Sequence, residues 1–334
     1  MRAEDNALSV PLSVLDLVPI AEGSSAGDAI EASMLAARLA DELGYRRFWF
    51  AEHHNDPSVA SSATALLISQ AASVTERLRL GSRGVMLPNH APLMVAEQFG
   101  TMAHIHGNRI DLGLGRAQGT DGKTSQMLRR SSAEPEAFVR SVEDFQGWFS
   151  QTGRDPNSST LSAPSAGTEV PIWVLGSSPK GASVAGQLGL PFSLASHFAP
   201  DQIDEALQSY RESFNPDAQT AQIDKPYVMA AVNVMIADTD VEAEREYTTV
   251  VQMFINRIIG NHGKIQPPVD PETLPRGGNS PMLRVKAVGS PTTAKAQLEE
   301  FVERTGADEL MTVTYAYDPA VRNRSLHLLA DIWF

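Results

Sequence analysis

The feature that most constrains this chain is an alternation repeated along its length. A short apolar run is followed by a turn and then by a longer amphipathic stretch. Such alternation selects βα units, because parallel strands need a crossover between them and a helix is the usual one. Eight runs read as strands: Val10–Val18, Arg47–Phe50, Leu78–Met86, Ile110–Leu114, Ile172–Leu175, Phe192–Ala195, Tyr227–Ile236 and Glu309–Thr314. Between the first two, Ile30, Met34, Leu35, Leu39 and Leu43 fall at helical spacing, and Gly44 ends the helix as a C-terminal cap. Pro92–His106 reads as a helix with proline in its first turn and Gly107 at its end.

Eight strands with intervening helices predict an α/β fold, a (β/α)8 TIM barrel with insertions. No linker divides the chain, so one domain is expected over residues 1–334, with excursions near 117–168 and 260–282. The stretch Gln118–Ala133 reads as a polar loop. Gly260–Met282, with its prolines and glycines and no clear period, reads as a mobile segment or lid.

Charge and composition remove several classes of function. The net charge of −13 would repel nucleic-acid phosphates, and no basic run offers a patch for them. With no cysteine in the sequence, disulfides, thiolate metal sites and cysteine nucleophiles are excluded. No apolar stretch approaches the ~20 residues needed to span a bilayer. Met1–Ser9 lacks the apolar centre of a signal peptide, so a cytoplasmic location is expected.

In a closed barrel, chemistry gathers at the C-terminal ends of the strands. Asp16 follows the first run, Glu52-His53-His54 the second and Gly84 the third. Gly113–Gly119 follows the fourth, Gly176–Gly181 the fifth and His197 the sixth. The turn Gly176-Ser177-Ser178-Pro179-Lys180-Gly181 precedes a helix, so its free N–H groups and hydroxyls suit a phosphate. The same residues also read as ordinary N-capping. Arg116, on the neighbouring strand end, could clamp that phosphate with two hydrogen bonds or could form a surface ion pair. Gly113–Gly119 resembles a dinucleotide fingerprint but leads into Thr120-Asp121-Gly122, without the helix that a Rossmann unit requires. His53 and His54 are adjacent on a strand and face opposite sides, so they are not expected to share a metal ion. His54 reads as a locally hydrogen-bonded residue. His53 is the candidate acid–base group and His197 the second, since a neutral imidazole can move a proton near pH 7.

The segments FWFAEHHN, LRLGSRGVMLPNHAPLMVAEQFGTMAHIHGNRIDLGLGRAQG, VLGSSPKGASVAGQLGLP and AVGSP occur in order at successive strand ends. This set resembles the bacterial luciferase-like flavin-dependent monooxygenases. The resemblance implies a barrel that takes reduced FMN at its rim, from a separate flavin reductase, and oxidises a small organic substrate with O2. It implies that His53 is the catalytic histidine and that the Arg83–Gly84 bond is a non-proline cis peptide beneath the flavin ring. It puts the phosphate contacts on Arg116, the backbone near Gln118, Ser178 and Gly181, with Ser177 beside them. A cysteine that luciferase places beside the flavin falls on Gly115, and a luciferase threonine falls on Gly181, so backbone N–H must replace that hydroxyl. Light emission does not follow from the resemblance. A homodimer through helices near the second and third strands does. Two other readings are a deazaflavin-dependent oxidoreductase of the same superfamily and a non-catalytic flavin-binding protein.

Overall fold

The computed structural model describes residues 10–117, 119–128, 135–275 and 280–334. Its strands are β1 (Leu12–Asp16), β2 (Arg47–Phe50), β3 (Arg79–Ser82), β4 (Val85–Met86) and β5 (Ile110–Gly115). They continue with β6 (Ile172–Gly176), β7 (Phe192–Leu194), β8 (Val228–Ile236), β9 (Lys286–Gly289) and β10 (Glu309–Val313). The helices are α1 (Ala26–Leu43), α2 (Thr64–Ser73), α3 (Pro92–His106), α4 (Gly122–Met127) and α5 (Pro135–Phe149). They continue with α6 (Pro179–Gln187), α7 (Ile203–Ser213), α8 (Asp240–Ile258), α9 (Pro291–Thr305) and α10 (Pro319–Trp333).

The parallel ring runs β1-β2-β3-β5-β6-β7-β8-β10 and closes where Leu12–Leu15 of β1 pairs with Leu310–Val313 of β10. These eight strands are the eight expected from the sequence. Helix α1 shows how local signals set boundaries. Ser25 and Asp28 form a reciprocal capping box at its start, and Gly44 ends it in the left-handed region at φ 89°.

Four differences from the sequence reading have physical causes. The third run is split, because the Arg83–Gly84 peptide bond is cis and separates β3 from β4. The short run Lys286–Gly289 forms an added strand, β9, on Asn233–Ile236 of β8, overlapping the Met229–Asn233 stretch that pairs with β10 at Asn233 alone. Its residues, Lys286, Ala287, Val288 and Gly289, include one β-branched side chain only, too weak a strand signal. Within the polar stretch 118–133, α4 forms because the Asp121 carboxylate caps the Lys123 and Thr124 N–H groups. Finally, the part of the expected lid from Lys264 to Val269 is tied to neighbouring elements. Ile265 N–H donates to the Ile20 carbonyl at 2.9 Å, and Glu22 N–H donates to the Ile265 carbonyl at 2.8 Å. Lys264 Nζ donates to the Ser24 carbonyl at 2.6 Å, and Val269 N–H donates to Thr248 Oγ1 at 2.9 Å.

Alternation along each strand sorts the core into two shells. Phe48 and Phe50 of β2 face the helices, whereas Trp49 faces the barrel interior with Leu15, Trp173, Met229 and Met311. Trp49 and Trp173 meet edge to face, 5.2 Å between ring centroids. Below them, at the N-terminal ends of the strands, lies a buried ionic cluster. Arg47 bonds Asp111 at 2.5 Å and Glu309 at 3.0 Å, and Arg79 bonds Asp111 at 2.6 Å. Trp49 Nε1 donates to Asp111, while Tyr227 and Ser13 donate their hydroxyls to Glu309. The interior is therefore plugged from below and opens at the C-terminal rim. No helix among the described residues is long and apolar enough to cross a membrane.

Candidate active site

Over the plug lies a cavity of about 380 Å³. Strand ends far apart in sequence build its wall. His53 comes from the end of β2, Arg83 from the end of β3 and Met86 from β4. Gly115 and Arg116 come from the end of β5, Gly176–Ser178 and Gly181 from the β6–α6 turn, and His197 and Phe198 from the segment after β7. Leu15, Leu17, Ala51, Val174 and Ala195 supply apolar surface.

Ser178 is the N-cap of α6, and its Oγ accepts from Gly181 N–H at 3.3 Å. The capping reading of this turn therefore holds. The turn nevertheless faces the cavity beside Arg116, whose Nη1 is buried and has no hydrogen-bond partner among the described residues. A guanidinium N–H left unpaired in a buried place costs of order 1–3 kcal/mol unless something else accepts from it. Arg116 is thus not the surface ion-pair residue allowed by the alternative reading.

Close approach explains Gly115, which lines the cavity, and Gly84, which packs behind it and does not line it. A Cβ at Gly84 would lie 2.8 Å from the Gly115 nitrogen, and one at Gly115 would lie 2.8 Å from the Met86 sulfur. In both places the missing side chain lets neighbouring protein atoms pack closely, the β5 backbone against Gly84 and Met86 against Gly115.

The histidines differ sharply. Glu52 is buried and accepts from His54 Nε2 at 3.0 Å, His90 Nε2 at 2.8 Å and Met86 N–H at 3.1 Å. Burial pushes the Glu52 carboxyl up, but the His54 and His90 hydrogen bonds, the His90 charge and the Met86 N–H overcome it and hold the pKa at about 2. His54 is therefore the locally satisfied residue expected, and His90 joins it through a contact that no local pattern announces. His53 points the other way, into the cavity, with its ring against the Gly119 backbone. Burial and the Arg257 cation push its pKa below 6.5, opposed by Asp56, which pairs with Arg257 at 2.6 Å. Burial, reinforced by the Arg83 cation, pushes the pKa of His197 well below the ordinary value, and its Nδ1 has no partner among the described residues.

Asp16 is not brought to this cavity. Its carboxylate accepts from Val18 N–H at 2.7 Å and pairs with Arg322 at 3.4 Å, behind the wall. Gln118 lies outside the described residues. No described residue of 260–282 lines the cavity. Sequence reasoning did not single out Met86 or Phe138, both in the wall. An apolar residue on a strand end or helix face has the same pattern whether it meets core or ligand.

A family profile described as luciferase-like monooxygenase matches residues 10–309. A luciferase-like monooxygenase of Escherichia coli strain K12 is 43% identical over 330 residues, covering 97% of each chain. The crystal structure of apo-MsnO8 matches at a TM-score of 0.85 and 33% identity, covering 97% of this chain and 98% of that one. The oxygenating constituent of 3,6-diketocamphane monooxygenase from Pseudomonas putida, solved in complex with FMN, shares the fold at a TM-score of 0.72. That likeness covers 96% of this chain and 97% of the other at 21% identity.

Proposed function

Because the chain belongs to the luciferase-like monooxygenase family, we propose that it takes reduced FMN from a separate reductase and uses O2 to oxidise a small organic substrate. The observation that carries this reading is the unpaired, buried Nη1 of Arg116 beside the Ser177–Gly181 turn. A guanidinium, two hydroxyls and a helix N-terminus on one wall make a phosphate cradle. Gly115, which lines the cavity without a side chain, leaves space for a planar ring. When bound, reduced FMN supplies the electrons that activate O2. Arg116 and the α6 turn anchor its phosphate. The apolar wall excludes water from the reacting atoms. His53, held neutral, accepts or returns a proton at its cavity-facing nitrogen. A deazaflavin has a longer anionic tail and calls for further cations at the mouth. Among the described wall residues the cations are Arg83 and Arg116, and Arg83 is committed to Ser193 and the Leu194 carbonyl on β7, which leaves Arg116 for an anionic tail and favours FMN.

Flavin fluorescence quenching tests the cradle. Arg116→Ala is expected to weaken FMN binding by about 10- to 100-fold, the worth of a charge-assisted contact of about 1.5–3 kcal/mol. Riboflavin, which lacks the phosphate, should bind wild type and variant alike. Equal losses for both ligands would remove the phosphate from Arg116.

We also infer a homodimer through α2 and α3. Leu66 is 73%, Met94 60% and Ile105 65% exposed on these neighbouring helices, an apolar patch that costs solubility unless covered. Light scattering should give twice the chain mass for the wild type and the chain mass for a Leu66→Glu/Ile105→Glu variant. A monomeric wild type ends this reading.

A further inference from the structure

Among the described residues the cavity wall carries two guanidiniums and no carboxylate, in a chain with 40 acidic and 27 basic residues. Arg116 serves the phosphate cradle. Arg83 stands elsewhere and has no such task. Its side chain crosses the barrel from the end of β3 to β7, where Nε donates to Ser193 Oγ at 2.8 Å and Nη2 donates to the Leu194 carbonyl at 2.7 Å. Both acceptors are neutral, and no acidic side chain pairs with Arg83 among the described residues. Arg83 is only 4% exposed, and burial alone lowers its pKa to about 9.

Beside it is His197, 6% exposed, with Nδ1 unpartnered. Buried cations are ordinarily paired, and buried ring nitrogens ordinarily hydrogen-bonded. Two adjacent groups that break both rules, on the wall of one cavity, call for a ligand atom that accepts from both. That atom is an oxygen bearing negative charge. The surrounding Leu15, Leu17, Ala51 and Val174 are apolar, so the rest of the ligand is apolar too. A cavity of about 380 Å³ that also holds a flavin ring leaves room for a small body only.

We propose that Arg83 and His197 form an oxyanion subsite at the inner end of the cavity, which takes the carboxylate of a small organic-acid substrate. The inference rests on the reading above in that one cavity holds cofactor and substrate together. Arg83 and His197 then select an apolar acid over its neutral analogue and fix which end of it faces the flavin.

Hexanoate and hexanamide are suitable probes, alike in shape and different in charge. Calorimetry on the flavin-free wild type is expected to give hexanoate at least about tenfold tighter binding, the effect of one charge-assisted pair. Arg83→Met should abolish the preference, and Arg83→Lys should keep part of it. His197→Leu should weaken hexanoate and leave hexanamide unchanged. Arg116→Ala should leave the preference intact, which separates this subsite from the phosphate cradle. Equal binding of the two probes by the wild type overturns the proposal, as does loss of the preference in Arg116→Ala. Should Arg83→Met fail to fold, unchanged hexanoate affinity in His197→Leu overturns it. One other source of negative charge is the edge of the reduced flavin ring. If Arg83→Met weakens reduced FMN and not hexanoate, the charge serves the cofactor and the substrate assignment falls. A wild type that prefers hexanoate but binds no FMN refutes the flavin reading and leaves the subsite standing.

Discussion

Replacing His53 with alanine is expected to lower turnover by about 10²- to 10⁴-fold, the usual worth of a positioned acid–base group, with FMN affinity nearly unchanged. The separation follows from the wall. His53 rises from the end of β2, whereas the phosphate cradle is built by the end of β5 and the β6–α6 turn. Removing the imidazole takes away a proton carrier without touching the anchor. Turnover is read as O2-dependent product formation on a substrate found by screening, with FMN binding followed in parallel by fluorescence. Unchanged turnover would remove His53 from the reaction.

The pH dependence has a definite sign. Burial and the Arg257 cation lower the His53 pKa from 6.5, so the ring is neutral at pH 7 and remains so in mild acid. Activity that needs the neutral ring is therefore present above pH 6.5 and is lost only as the pH falls through the lowered value. Arg257→Leu removes the cation and leaves Asp56 unpaired near the ring, and both changes favour imidazolium. The acid limb of the pH–rate profile should then move up. An acid limb that stays put or moves down would show that Arg257 does not act on His53.

Asp111→Ala is expected to destabilise the barrel by about 3–5 kcal/mol, the cost of breaking a buried ion pair from one side. The Asp111 side chain is fully buried and receives Arg47 at 2.5 Å, Arg79 at 2.6 Å and the Trp49 indole at 3.2 Å. Its removal leaves Arg47 with Glu309 alone and leaves the indole N–H without its acceptor. Such a loss is a large part of the roughly 5–15 kcal/mol that holds a domain together. Urea unfolding of wild type and variant measures it. A change below about 1 kcal/mol, the range of a solvated surface pair, would mean that water reaches the cluster.

The ease with which parts of this protein are read from its sequence follows from the range of the interactions that set them. The boundaries of α1 lie in Ser25, Asp28 and Gly44, all at the ends of the helix they control. The span of β2 lies in four consecutive residues, and α3 begins at its proline and stops at its glycine. The rim position of Arg116, Ser177 and Ser178 follows from strand ends that are themselves local signals. The direction of a buried polar side chain has no such signal. Arg83 follows β3 in the chain but bonds residues 110 and 111 positions away on β7. Asp16 ends β1, as a rim residue should, yet turns to Arg322 at a separation of 306 residues.

By itself the sequence determined that eight βα units would form and roughly where they lie, and it placed His53, Arg116, Ser177, Ser178 and His197 at strand ends, because caps, turns and hydrophobic periods act over a few residues. Only the tertiary structure decided which of those residues face inward together. It turned Arg83 and His197 onto one wall, joined His90 to Glu52, and closed Arg47, Asp111 and Glu309 into a plug. These contacts arise from ring closure, which sets strand register across hundreds of residues and cannot act until distant strands meet.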